Sequence, residues 1–227
     1  MIRWFGFALA LWLAAWAWPV RAQDPVRLSP ASYKVEIDNP WVRVLRVKHA
    51  PHEKTAMHDH PATVAVCLTD LNERLTGPDG KSQEVHLKAG EVAYRPASRH
   101  IEENLSDQPI EAIITELKPN APKAQAAPLT APDPVVADPQ HHLVPIDNDR
   151  VRVLRTILEP HLKGPMHRHP SYVVVYLTEL HTTMKLADGR TVDNPRRPGE
   201  VAWRDAYQHQ TENIGDKRAE EIQIELK

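Results

Sequence analysis

Val42-Arg43-Val44-Leu45-Arg46 returns as Val151-Arg152-Val153-Leu154-Arg155, 109 positions further on. The same offset of 109 carries Ile37-Asp38-Asn39 onto Ile146-Asp147-Asn148 and Met57-His58-Asp59-His60-Pro61 onto Met166-His167-Arg168-His169-Pro170. It also carries Gly90-Glu91-Val92-Ala93 onto Gly199-Glu200-Val201-Ala202, and Glu116-Leu117-Lys118 onto Glu225-Leu226-Lys227. An offset that never drifts means a duplication without insertions, so the chain holds two copies of one unit. The copies span 23–118 and 142–227. Between them, 119–141 is rich in Pro and Ala, has little apolar periodicity, and reads as a semi-extended linker.

Each copy reads as strands. Val42 to Val47 alternates as a half-buried strand does, and Val64–Leu68 and Val173–Leu177 are apolar runs expected of strands covered on both sides. Pro78-Asp79-Gly80 and Ala187-Asp188-Gly189 are hairpin turns. Ile110–Leu117 and Ile222–Leu226 are closing strands, and no segment sustains helical periodicity. Many short, evenly spaced strands predict an all-β sandwich or closed barrel.

The 227 residues are 41% hydrophobic and 26% charged, with a formal charge of -2, the profile of a chain that packs a core. No basic run stands out, which argues against nucleic acid as a partner. Residues 1–22 read as a secretory signal: Arg3, an apolar run from Trp4 to Trp18, Pro19, and a small-x-small site at Val20-Arg21-Ala22. The expected mature protein is periplasmic or secreted, with no membrane association after cleavage. The single cysteine, Cys67, excludes an internal disulfide and reads as a small buried hydrophobe.

His58 and His60 stand at i and i+2, as do His167 and His169, so on a strand each pair shares one face and can reach one cation. Both pairs persist where much of the surrounding sequence differs between copies. A third histidine follows Gly-Glu-Val-Ala in each copy, His100 and His209, and an asparagine stands four residues beyond it, Asn104 and Asn213.

With these residues the chain resembles the cupin superfamily, which pairs an H-x-H motif with a second motif G-x5-P-x3-H-x3-N. Copy one matches the second motif with Gly90, Pro96, His100 and Asn104. Copy two keeps Gly199, His209 and Asn213 and carries Asp205 at the proline place. The resemblance covers 34–118 and 142–227 and implies a bicupin, two tandem jelly-roll β-barrels with inward histidines. It implies the ligand sets His58, His60, His100 and His167, His169, His209, and hence two divalent ions per chain. Fe, Zn, Cu, Ni and Mn all accept imidazole. Two departures stand out. The family's glycine before the first histidine is replaced by His52 and His161, each after a proline. The family's glutamate ligand after the second histidine is absent: Val64 and Ala65, and Val173 and Val174, hold those places.

Other residues have weaker claims. His52 and His161 are candidates for an outer shell or a fourth ligand, against the plain alternative of loop histidines. Glu102 shares the inward face of His100 and is a candidate general base; Thr211 stands in its place in copy two. Asn104 and Asn213 share that face too, and capping a barrel end is the favoured role. Met57 and Met166 are read as core packing. Arg95 and Arg204 are the choice for an anionic substrate. Arg43, Arg46, Arg152 and Arg155 are read as solvated faces or surface ion pairs. Asp59 and Arg168 point outward, either free or paired copy against copy.

Three neutral imidazoles leave the full divalent charge on a metal, which favours an anionic, oxygen-rich small-molecule ligand. Some cupin dioxygenases that cleave β-diketones have three-histidine iron sites, so the resemblance implies a metal-dependent dioxygenase-like oxidoreductase if the protein is an enzyme. The rival readings are a non-catalytic metal- or ligand-binding protein and a metal-dependent isomerase or lyase.

Overall fold

The computed structural model describes residues 23–119, 121 and 129–227. The expected signal peptide at 1–22 and linker residues 120 and 122–128 lie outside them. Repeat one runs α1 (Pro25–Leu28), β1 (Tyr33–Asp38), β2 (Val42–His49), β3 (His58–His60), β4 (Thr63–Cys67), β5 (Leu71–Thr76), β6 (Ser82–Leu87), β7 (Val92–Arg95), β8 (Ser98–Asn104) and β9 (Ile110–Leu117). Repeat two runs α2 (Pro134–Ala137), β10 (His142–Asp147), β11 (Val151–Leu158), β12 (His167–His169), β13 (Tyr172–Tyr176), β14 (Leu180–Leu186), β15 (Thr191–Arg196), β16 (Val201–Arg204), β17 (Tyr207–Asn213) and β18 (Ala219–Leu226).

In each repeat a five-stranded sheet faces a four-stranded one. The orders are β1-β2-β9-β4-β7 with β3-β8-β5-β6, and β10-β11-β18-β13-β16 with β12-β17-β14-β15. The architecture is all-β, two tandem jelly-roll barrels. The third histidine strands, β8 and β17, lie beside the H-x-H strands, pairing His58 with His100 and His167 with His209 in register. Residues 42 positions apart are thereby paired in one sheet.

Strand parity separates two interiors. Val42 and Val44 on β2, Val64 and Val66 on β4 and Ile113 on β9 pack with Val151, Val153, Val173, Val175, Ile222 and Ile224 in one core shared by both repeats. That core lies between the two five-stranded sheets. The intervening residues line the barrels, such as Leu45 and Val47 with Tyr33 in the first and Tyr172, Val174 and Tyr176 in the second. This is why β4 and β13 are apolar at nearly every position: both faces are buried, each against a different wall. The seam is further tied by Trp41 stacked on Trp203, ring centroids 5.4 Å apart.

Arg46 and Arg155 form ion pairs, Arg46 with Glu36 and Glu111 and Arg155 with Glu220, and do more than that. Each crosses the seam to the other repeat's motif glycine, Arg46 Nη2 donating to Gly199 O at 2.6 Å and Arg155 Nη2 to Gly90 O at 3.1 Å. The glycine is dictated by backbone and space. Gly90 has φ +82°, and a Cβ there would stand 2.7 Å from Arg155 Nη2.

The C-terminal part of the expected linker is ordered as the start of repeat two. Asp133 caps α2 by accepting from Val135 N, as Asp24 caps α1 by accepting from Val26 N, each with proline at the first helical position. Asp133 and Asp24 also pair with the equivalent Arg152 and Arg43. The repeat therefore includes these leader turns.

Candidate metal centres

The barrel interiors gather the histidines. His58, His60 and His100 are buried, and together with Glu102 they place one ligand atom each within 4.8 Å of one another. His167, His169 and His209 do the same in the second barrel, within the same 4.8 Å, without a carboxylate.

In each H-x-H pair the rings are aimed by a bond at the other nitrogen. His60 Nδ1 donates to Glu116 Oε1 at 2.7 Å, and His169 Nδ1 to Glu225 Oε1 at 2.7 Å. His58 Nδ1 donates to Ala56 O at 2.8 Å and His167 Nδ1 to Pro165 O at 2.9 Å. Occupying Nδ1 leaves Nε2 as the free lone pair pointing inward, the outer-shell arrangement of histidine metal ligands. The carboxylates are held in turn: Arg43 Nε donates to Glu116 Oε2 at 2.5 Å, and Arg152 Nε to Glu225 Oε2 at 2.6 Å. Arg43 and Arg152, expected as surface charges, thus support the centres from behind. The signal for Glu116 and Glu225 was the repeat itself, which carries Glu-Leu-Lys in both copies.

The donor set suits a cation. Burial holds His58 below the usual imidazole range, lowers His167 to about 4 and keeps His169 and His209 well below it, so these rings are neutral. The buried Nε2 atoms of His169 and His209 have no hydrogen-bond partner. Two orphaned, neutral lone pairs converging in a buried site are what a divalent metal satisfies, and an unpaired buried acceptor is otherwise costly.

The two centres differ beyond the trios. In barrel one, Glu102 supplies the carboxylate whose absence from the first motif was noted above; it comes from β8, two residues past His100. Its Oε1 lies 3.2 Å from His100 Nε2, and Tyr33 Oη donates to its Oε2. Burial works to raise the Glu102 carboxyl, but the His100 bond and the charge of His49 outweigh it and hold the group below the usual carboxylate range. Behind it His49 lies with Nδ1 3.0 Å from Glu73 Oε1 and Nε2 3.6 Å from Glu102 Oε2. Tyr33, His49 and Glu73 were not singled out from sequence. In barrel two their places hold His142, Leu158 and Thr182, and His142 sits 5.1 Å from the His167 ring, centroid to centroid. There Tyr207 stacks on His209 at 4.6 Å, and its hydroxyl lies 3.0 Å from that of Tyr172.

Several expectations need correction. His52 and His161 are exposed and do not serve the centres; they face Asp107 and Asp216. Both have φ 59°, which explains why the family places glycine there: the position needs left-handed backbone, where histidine is among the better-tolerated residues. Asn104 and Asn213 are buried and take their favoured role, tying the barrel end. Asn104 Nδ2 donates to Ala50 O and Gln108 O, and Asn213 Nδ2 to Leu158 O and Lys217 O. Asp59 pairs with Arg99 of its own repeat, and Arg168 donates to Leu129 O, so they do not meet copy against copy. Met57 and Met166 are half-buried and lie outside the core clusters. Arg95 lines a cavity of about 380 Å³ with Ser98, Arg99, Lys81 and His100, the mouth of barrel one. Arg204 turns into barrel two, its Nη2 donating to Asn194 Oδ1 at 3.3 Å. Cys67 is buried, and burial pushes its thiol up to about 12, as an inert core residue requires.

No protein-family model matches the sequence, and no curated protein does. Solved structures do match the fold. AerE from Microcystis aeruginosa aligns over 86% of this chain and 97% of its own, at 13% identity and TM-score 0.60. An oxalate decarboxylase of Bacillus subtilis aligns over 89% of this chain and 71% of its own, at 16% identity and TM-score 0.52. The cupin 2 conserved barrel domain protein from Leptotrichia buccalis aligns over 86% and 88%, at 10% identity and TM-score 0.52. These likenesses show the fold, two tandem barrels of the kind seen in cupin-fold structures, and in this chain each barrel presents three inward histidines able to hold a metal ion.

Proposed function

We propose that the protein is an exported metal-dependent enzyme acting on a small, oxygen-rich molecule of the diketone or enol type, with oxygenase chemistry as the reaction class and barrel two as the working site. The observation that carries this is the trio of His167, His169 and His209: neutral, buried, converging, and without a carboxylate. The first 22 residues support export.

A divalent ion held by that trio would supply Lewis acidity undiminished by a negative ligand and so favour a deprotonated, chelating substrate. The chain's own residues supply the rest. Glu225 and Arg152 hold His169 in its tautomer. The hydroxyls of Tyr172 and Tyr207 stand beside the trio as hydrogen-bond donors to a substrate oxygen. Burial raises both phenols, Tyr207 to about 12, so both keep their protons at neutral pH. Leu158 and Leu180 pack with Tyr172 and Tyr176 in the apolar cluster of that barrel.

Barrel one suits retention of an ion more than turnover. Glu102 adds charge to its trio, and Tyr33 holds that carboxylate in place.

Oxygen uptake tests the reading. The iron-loaded full chain should consume oxygen with acetylacetone, His209→Ala should abolish uptake, and His100→Ala should leave most of it. Uptake at the protein-free rate across diketones and enols, with both sites filled, would overturn the enzymatic reading in favour of a binding protein.

A further inference from the structure

The repeats share a backbone and the inward arginine of β7 and β16, Arg95 and Arg204, yet the rest of the inner wall differs between them. Strand parity turns Ala202 and Arg204 of β16 inward, because Val201 and Trp203 belong to the core between the barrels. By the same parity Glu221 and Gln223 of β18 and Tyr176 of β13 face the chamber. The corresponding residues of barrel one are Ala112, Ile114 and Cys67. Arg196, at the end of β15, replaces Leu87, and its guanidinium carbon stands 5.5 Å over the Tyr176 ring.

The wall is continuous with the trio. His169 and Tyr172 rings are 5.0 Å apart, Tyr172 Oη is 3.0 Å from Tyr207 Oη, and Tyr172 sits opposite Arg204 in the β13–β16 register. Arg204 Nη2 in turn donates to Tyr176 Oη at 3.5 Å and to Asn194 Oδ1 at 3.3 Å. These are neutral acceptors. Among the described residues no carboxylate pairs with Arg196 or Arg204, and Arg196 Nε is buried without a partner. The carboxyl in the wall, Glu221, is occupied by Gln223, whose Nε2 donates to Glu221 Oε1 at 2.7 Å. Two guanidiniums share this wall with one carboxyl, Glu221, whose charge both of them feel, so the wall keeps an excess of positive charge that suits an anionic guest.

We propose that barrel two binds its substrate through a carboxylate seated on Arg196 and Arg204, with the substrate's enol or keto oxygens directed to the trio and the tyrosine hydroxyls, and that barrel one has no such seat. The ligand class is a small oxo or dioxo acid. The proposal rests on the reading of barrel two as the working site, but it is tested by binding and so can be separated from turnover.

The probes are acetopyruvate and acetylacetone, a diketone skeleton with and without a carboxylate, titrated by calorimetry into the metal-free and the metal-loaded full chain. Acetopyruvate should bind one equivalent per chain in both forms, at least about tenfold more tightly than acetylacetone. Arg204→Gln and Arg196→Gln should each cut that affinity about tenfold and leave acetylacetone binding unchanged, and Arg204→Lys should restore part of it. Arg95→Gln in barrel one should change nothing. Thermal melts and metal content verify that each variant is folded. Equal affinity for the two probes would overturn the proposal. So would Arg204→Gln and Arg196→Gln variants that bind acetopyruvate as the parent does, or loss of binding in Arg95→Gln. If acetopyruvate binds as described but the iron-loaded chain consumes no oxygen, the enzymatic reading fails and the carboxylate seat stands.

Discussion

Replacing Glu116 by Gln removes the charge behind one trio and leaves the other untouched. Glu116 is buried, accepts from His60 Nδ1 at 2.7 Å and from Arg43 Nε at 2.5 Å. Burial works to raise its carboxyl, but the bonds from His60 and Arg43 hold it below the usual carboxylate range, so it is ionised at neutral pH. An amide of the same shape keeps the packing, loses the charge-assisted bond, and allows the His60 ring to flip or change tautomer. Outer-shell changes of this kind cost about 10–100-fold in metal affinity, about 1.4–2.7 kcal/mol. Arg43 retains Asp24 as a partner, so the fold should survive. Zinc titration against a chromophoric chelator should show one ion bound in barrel two with its parental affinity and the ion in barrel one bound about 10–100-fold more weakly than in the parent. Glu225→Gln should give the mirror result through His169. Two unchanged affinities, or an equal loss at both sites, would refute the account of carboxylates orienting separate trios.

Glu102→Thr should convert centre one to the composition of centre two. The two ion-binding steps should then merge in a competition titration; steps that stay apart would show that Glu102 does not cause the difference. Glu221 provides a pH test: burial pushes its carboxyl up to about 7, while an unfolded chain ionises near the ordinary glutamate value. The native state therefore holds the proton longer, and stability should fall as pH rises from about 4.5 to about 7, by up to about 3 kcal/mol. Glu221→Gln should flatten that segment in denaturant melts. Trp41→Ala removes the stack on Trp203 from the half-buried seam and should cost about 2–3 kcal/mol in urea unfolding, with metal content unchanged.

The sequence made part of this legible, for physical reasons. The spacing of His58 and His60 is a strand period, so a shared face followed from geometry, and the constant repeat offset located His100 and His209 without knowledge of the fold. Glu102 was placed on the inward face by the same period. Its closeness to the trio required the pairing of β3 with β8. Tyr33, His49 and Glu73 converge on Glu102 from β1, β2 and β5, and occur in one copy only, so neither local pattern nor repeat could mark them. The apolar alternation of β2 and β9 showed one buried face but not its partner. That partner is the other barrel, which makes Arg46 and Arg155 seam residues instead of surface charges. His52 and His161 misled because a chemically capable side chain stood where the backbone, at φ 59°, was the constraint.

Metal analysis of the full chain, loaded with zinc and desalted, tests the central claim most directly. Two ions per chain are predicted, falling to one in His60→Ala, one in His169→Ala and none in the double variant. A parental chain that retains no metal, or a double variant that retains both ions, would contradict the convergence of the six histidines on two separate centres.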